Sequence, residues 1–275
     1  MSDDPFGSRA YYDRLGEAER DRLVRDAPAR ASLEVHRRFL ARFVSAGDRV
    51  LEIGAGPGRF TAELASLGAR VHVTDFSPVQ LDLNRKHLEG TGAESAVTGR
   101  DILDVRDVSR FDDASFDVVL AYGGPLSYAF EDAEAAFAGL LRIIRPAGYV
   151  VASVMSMLGT WRHSLPGIAA VVDRFGDELN DRVIRTGDLR HLPGVDHTCR
   201  MFRANQLREL VETAGGRVEA MSASNWASLG DPATVAALEA EPSRWAHFIE
   251  NEVAACGESG TLDGGTHILV AATHP

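Results

Sequence analysis

The sequence predicts an α/β fold built on a mostly parallel, doubly wound sheet. Three observations carry that expectation. Short apolar strands alternate with helical stretches between residues 50 and 154. The first strand, Val50–Ile53, runs straight into the glycine turn Gly54-Ala55-Gly56-Pro57-Gly58, and a helix opens at Arg59. An acid, Asp75, closes the second strand 21 residues after Gly54. Strand, glycine turn and helix make half of a nucleotide-binding βαβ unit.

Each element has its own signal. Residues 6–45 read as helical: Ser8–Val24 is charged and carries Tyr11, Tyr12, Leu15 and Leu23, while Ala31–Val44 repeats Leu33, Leu40 and Val44 at helical spacing. Pro28 separates the two and Gly47 stops the second. The Tyr11-Tyr12-Asp13 stretch suits either a lid over the glycine turn or a helix merely packed on the surface. Arg9, Arg14, Arg20, Arg22 and Arg25 are interleaved with acids, which describes a solvated face rather than a binding patch. The glycines of the turn accept positive φ and let backbone approach a ligand with no Cβ in the way. The following helix runs to Leu67 and Gly68 caps it. Arg70–Phe76 is a strand whose Asp75 is placed to accept hydrogen bonds from ribose hydroxyls. Its alternative is to cap the helix Pro78–Leu88, a task that Ser77 can perform alone. Ala96–Gly99 gives the third strand and Ser115–Tyr122 the fourth. The fourth ends in Gly123-Gly124-Pro125-Leu126-Ser127-Tyr128, at the carboxyl edge where open α/β sheets bind ligands. Helix Glu131–Ile143 and the turn Arg145–Gly148 lead into the fifth strand, Tyr149–Val154.

Composition bounds the function. The 275 residues, 45% hydrophobic and 25% charged, suit a soluble globular protein with one large core or two small ones. A formal net charge of −11 disfavours a nucleic-acid binder, which needs a basic surface, and favours a small-molecule partner. The start Met-Ser-Asp-Asp-Pro lacks a signal-peptide pattern, and no apolar run approaches the ~20 residues of a membrane span, so a cytoplasmic protein without membrane contact is expected. Cys199 and Cys256 stand alone, and with His191, His197 and His267 they match no zinc-ligand spacing; no metal is expected.

A dinucleotide fingerprint G-x-G-x-x-G would need glycine at 59, where Arg59 stands. Glu52, an acid inside an apolar strand just before the turn, suits a cationic ligand group better than a pyrophosphate. The stretch 50–61 resembles the first motif of class I S-adenosylmethionine-dependent methyltransferases. The phrase Phe116-Asp117-Val118-Val119 and the stretch Leu141–Gly148 resemble later motifs of the same family. The resemblance is to that class generally, and more closely to the broad group of bacterial small-molecule methyltransferases with an N-terminal helical lid and a helical cap. It covers most of residues 46–155, with 204–224 and 265–273.

The resemblance implies a Rossmann-like seven-stranded sheet, five parallel strands plus an antiparallel final pair at Arg217–Ser222 and Thr266–Ala272, with helices on both faces. It implies S-adenosyl-L-methionine as cofactor, with Glu52, Gly54, Ala55, Gly56, Gly58, Asp75 and Phe76 at the site. Asp101 would hold the adenine amino group, with Asp104 and Asp107 as nearby competitors, and Ile102 the ring, with Ala121 and Tyr11 also contributing. Residues 1–45 are then the lid, 46–155 the cofactor-binding core, 156–203 a cap insertion, and 204–275 the rest of the core with a helical insertion at 225–264. The insertions are ~48 and ~40 residues long, against roughly 2–6 for ordinary connections, and both leave the carboxyl edge, so they are expected to roof the acceptor pocket. The first, with Trp161 and Phe175, reads as one helix plus irregular chain. The second reads as mainly helical, with Asp231-Pro232 as its start and Trp245, Phe248 and Val253 as a stripe.

The expected activity is methyl transfer to an oxygen or nitrogen of a small molecule, possible in secondary metabolism by fold analogy. A base is required only where the acceptor must lose a proton. His267, at the start of the last strand, is the first candidate, against a purely structural histidine; Tyr122 is the second. Tyr128, His163, His191 and His197 are more weakly placed. The rival readings are a non-catalytic S-adenosylmethionine-binding regulator and an NAD-dependent oxidoreductase.

Overall fold

The computed structural model describes residues 7–195 and 197–275; the opening stretch Met1–Pro5 and the side chain of His191 lie outside the described residues. Seven strands form one sheet: β1 Arg49–Ile53, β2 Arg70–Asp75, β3 Val97–Ile102, β4 Phe116–Ala121, β5 Ile144–Met155, β6 Arg217–Ala223 and β7 His267–Thr273. Their order is β3-β2-β1-β4-β5-β7-β6. The first five are parallel and β7 runs antiparallel to both β5 and β6, as the resemblance implied. The order reverses between β1 and β4, which opens a crevice beyond their carboxyl ends.

Strand alternation sorts the core into two layers. Val50, Val71, Val73, Val118, Leu120 and Leu269 face one side. Leu51, Ile53, Val119, Ala121, Ala152 and Val270 face the other. Successive side chains point to opposite faces, so both layers are apolar and the sheet is buried on both sides.

The N-terminal segment forms α1 Ser8–Leu15 and α2 Ala18–Asp21, then α3 Ala27–Leu40. One helix was expected over Ser8–Val24. Gly16, at φ 51 and ψ −127, breaks it. Pro28 does not separate helices but sits in the first turn of α3, where its missing N–H costs nothing and Asp26 caps the backbone of Ala29 at 2.8 Å. α3, α4 Arg59–Ser66 and α5 Pro78–Leu88 cover the first face through Phe39, Leu40, Leu64 and Leu81. α6 Ala133–Ile143 covers the second through Phe137 and Leu140. Residues Arg145–Gly148, expected as a turn, belong to β5 and carry a register irregularity against β4. Gly148 permits this close approach, since a Cβ there would lie 2.6 Å from the Asp117 carbonyl oxygen.

Among the described residues the first insertion holds three α-helices rather than one: α7 Met157–His163, α8 Leu165–Phe175 and α9 Asp177–Thr186. α10 Ala204–Thr213 then joins α6 on the second face through Leu207 and Val211. The second insertion forms α11 Pro232–Glu239 and α12 Pro242–Cys256. Both pack along α3, with Cys256 and Val253 against Val35, Ala223 and Trp226. The expected double roof is therefore corrected: this insertion flanks the sheet, and no described residue of either insertion lines the cavity at the carboxyl edge. Among the described residues no helix is long and apolar enough to cross a membrane.

Candidate active site

A cavity of about 480 Å³ lies at the carboxyl ends of β1 to β4. Its floor is the glycine turn. Gly54 and Gly56 hold φ of 70 and 53, conformations that favour glycine. At Gly54 a Cβ would also lie 2.8 Å from Pro125 Cγ, so the turn and the segment after β4 meet only because this residue has no side chain.

One wall is built by Asp75 and Phe76, a second by Ile102 and Leu103, and a third by Tyr122, Gly123, Pro125 and Tyr128. The lid adds Ser8, Tyr12 and Glu19. The Asp75 carboxylate accepts the Gly56 and Ser77 backbone N–H groups, each at 2.8 Å. Burial nevertheless pushes its pKa up to about 6, against the pull of those two donors. Ser77 caps α5, as expected, leaving Asp75 facing the cavity.

Gln80 adds a polar group that the sequence does not flag. Its Nε2 donates to the Tyr12 and Gly16 carbonyl oxygens, which fixes the orientation of the amide. Its Oε1 is buried, has no hydrogen-bond partner and stands beside Gly56 in the cavity wall. A buried acceptor left open calls for a donor from a ligand. Asp75 with spare acceptor capacity, an open Gln80 oxygen and a floor without Cβ atoms fit a nucleoside whose sugar carries hydroxyl donors.

The structure divides the candidate residues. Gly54, Gly56, Asp75, Phe76, Ile102 and Tyr122 line the cavity. Glu52 does not; it lies on the sheet face of Val50 and accepts the Thr61 hydroxyl at 2.6 Å. Asn84 donates to that hydroxyl in turn and accepts from Arg100, so a buried polar chain supports the turn from beneath. Burial pushes the Glu52 pKa up to about 8. Gly58 starts α4 against Asn84, and Ala55 borders a small cleft under α2 instead of the main cavity. Ala121 is fully buried in the second layer, and Gly123 takes its expected place. Asp101 points to the opposite face from Ile102 and bonds His72 Nε2 at 2.7 Å, so the adenine-amino role is not placed there. Tyr11 turns outward onto the His197 ring, 4.6 Å between centroids, and its neighbour Tyr12 enters the cavity.

The two catalytic candidates fare differently from expectation. Tyr122 forms wall rather than base: its hydroxyl faces the His36 carbonyl at 3.5 Å, and burial raises its pKa well above the ordinary value. His267 pairs with Met155 at the start of β7, outside the cavity lining, its Nε2 sealed from solvent without a partner. Burial, then Arg22, His36 and His197, hold its pKa well below the ordinary value, so it is neutral at pH 7. Among the described residues no group of three or more His, Cys, Asp or Glu is arranged to hold a metal.

Residues 50–148 match a family model described as a methyltransferase domain. Over that stretch the chain is similar to a methyltransferase domain. S-adenosylmethionine is the cofactor of such domains, and the match favours it over the NAD reading. A demethylmenaquinone methyltransferase from Clavibacter sepedonicus is 34% identical over 146 residues, 51% of each chain. A ubiquinone biosynthesis O-methyltransferase from Xanthomonas oryzae pv. oryzae is 30% identical over 42% of this chain and 46% of its own length. The chain thus spans about half the length of the curated relatives it matches. A methyltransferase structure from Thermotoga maritima superposes with a TM-score of 0.57 at 17% identity, covering 97% of this chain and 99% of that one, which is likeness of fold.

Proposed function

We propose that the chain transfers a methyl group from S-adenosylmethionine to an oxygen or nitrogen atom of a small molecule. One observation carries the reading. A single cavity joins the glycine and Asp75 end, which fits a nucleoside, to an aromatic end made by Tyr12, Tyr122 and Tyr128. Displacement at a sulfonium methyl asks little more than an acceptor held about 3 to 3.5 Å from the methyl carbon, in line and away from water. When bound, the cofactor supplies the electrophilic methyl. Asp75 and Gln80 would hold its sugar, and Ile102 with Leu103 would flank its base. The aromatic walls exclude water and orient the acceptor. The printed name of the Xanthomonas relative, an O-methyltransferase, supports oxygen as the acceptor atom.

Calorimetric titration with S-adenosylmethionine and with NAD tests the cofactor; binding of NAD alone would overturn the reading. Incubation with methyl-labelled cofactor and a metabolite extract tests the reaction. A labelled small-molecule product is expected. Tight cofactor binding without any labelled product would favour the regulatory reading instead.

A further inference from the structure

Three side chains from three separate parts of the chain meet at the aromatic end. The Tyr12 and Tyr128 hydroxyl oxygens lie 2.6 Å apart. The Tyr128 hydroxyl lies 2.6 Å from His197 Nε2. Tyr12 comes from the lid, Tyr128 from the segment after β4, and His197 from the first insertion. The junction is built rather than incidental. The Arg200 N–H donates to the Ser127 carbonyl at 2.7 Å, and the Ser127 hydroxyl accepts from Met155 N–H at 2.9 Å. Tyr128 is thereby fixed beside the chain that carries His197. Both tyrosines line the cavity.

We propose that Tyr12, Tyr128 and His197 form a relay that draws the proton from a phenolic or enolic hydroxyl of the methyl acceptor. The inference rests on the methyl-transfer reading above and names its substrate class. With His197 Nε2 bare, Tyr128 donates to it and Tyr12 donates to Tyr128, which leaves the Tyr12 oxygen able to accept a hydrogen bond from the cavity. The acceptor hydroxyl fills that position. As its oxygen bonds the methyl carbon, the carbon–sulfur bond breaks and its electron pair stays on sulfur. The hydroxyl proton moves to Tyr12 oxygen, the Tyr12 proton to Tyr128, and the Tyr128 proton to His197 Nε2. The charge lost by the sulfonium reappears on the imidazolium, so no further reactant is needed.

The surroundings set the resting protonation of the relay. Burial and then Arg22 lower the His197 pKa, so the ring rests unprotonated with Nε2 open to the Tyr128 proton, while being a weaker base than a free imidazole. Burial raises the pKa of both tyrosines, so they carry their protons and pass them on in concert. The groups around the ring are Tyr11 and Tyr12 of α1, Arg22 after α2, Tyr128, and His267 of β7. A phenol, with a pKa of about 10, matches a tyrosine as proton donor far better than an aliphatic alcohol does.

Nitrogen-15 NMR of histidine-labelled full-length protein, with S-adenosylhomocysteine added, reads the tautomer directly. The expected result is a bare Nε2 on His197 whose signal moves in Tyr128→Phe; a protonated Nε2 at pH 7.5 would overturn the relay. Turnover is then measured with tyramine, catechol and 1,4-dihydroxynaphthalene. O-methylated product is expected, with kcat lowered about 10²-fold in His197→Gln and Tyr128→Phe. Cofactor Kd and acceptor KM should stay within about twofold, and His197→Gln should lose the acid limb of the kcat profile, which a purely structural role would leave in place. Methylation only at the tyramine nitrogen, or no O-methylated product while calorimetry shows bound cofactor, would overturn the relay and leave the cofactor assignment standing. Loss of cofactor binding by the parent protein would remove both.

Discussion

Burial lifts the Asp75 carboxyl to about 6 although two backbone N–H groups favour its ionised form. The ionised carboxylate is the better acceptor of ribose hydroxyls, so cofactor affinity should be full above that value and fall as pH drops through it. Asp75→Asn should remove this dependence and weaken binding by about 1.5 to 3 kcal/mol at pH 8. Calorimetry at pH 5.5 and 8 decides the matter; equal affinity at both pH values in the parent protein would refute it. Glu52 works in the opposite sense and on stability. Its folded pKa of about 8 lies above the ordinary carboxyl value, so the stability it contributes is present at low pH and is lost as pH rises through that value. Without cofactor, Glu52→Gln, which can still accept the Thr61 hydroxyl, should match the parent Tm at pH 5 and exceed it at pH 9. A gap that does not widen with pH would remove the assignment. The alternation that puts Glu52 on the face of Val50 is legible in the sequence. Which face lies under the turn is set by the packing of α4 and α5, and no local pattern encodes that. The same limit separates Tyr11 from Tyr12: helical spacing places Ser8 and Tyr12 on one face, but only the docked helix shows that this face meets the cavity.

Elements were legible where their end signals are local and strong. The glycine turn, the Ser77 cap of α5 and the paired β6 and β7 all stand where their residues point. The lid break at Gly16 and the three helices of the first insertion were not, because a lone glycine in a charged helical pattern weighs little until tertiary contacts choose the bend. Gly159 shows how the insertion is held. A Cβ there would lie 1.7 Å from the Gly265 carbonyl oxygen, so α7 seats directly on the backbone that enters β7. Gly159→Ala should cost about 1 to 3 kcal/mol through overpacking against unyielding backbone. At roughly 2 to 4 °C per kcal/mol, the Tm should fall by about 2 to 12 °C. Gly167→Ala in α8, where a Cβ meets open space, is the control and should hold or slightly raise the Tm. Equal behaviour of the two variants in thermal unfolding would show that the contact does not hold the helix.

At the scale of the whole molecule, two of the additions to the sheet, the lid and the second insertion, have separate duties. The lid reaches the site through Tyr12 and Glu19 and is tied down by Gln80 Nε2 to the Tyr12 carbonyl, Arg59 to the Arg20 carbonyl, and the Ser77 hydroxyl to Asp13. The second insertion is fastened to α3 instead, and the buried Glu252 carboxylate closes its approach by accepting three backbone N–H groups, of Trp226, Ala227 and Ser228. Both are helical and both interrupt or precede the same sheet, so composition could not tell them apart; their partners could. A ligand that binds only the folded state adds about 2.7 kcal/mol of stability at one hundred times its Kd. That gain is local where binding adds contacts. S-adenosylhomocysteine should therefore slow amide exchange across residues 8–26 and 54–58 well beyond the global increment, while residues 232–256 gain no more than the global increment. Hydrogen exchange read by mass spectrometry with and without the ligand checks this, and equal added protection in the two segments would mean that α1 and α2 are not the cover of the cofactor.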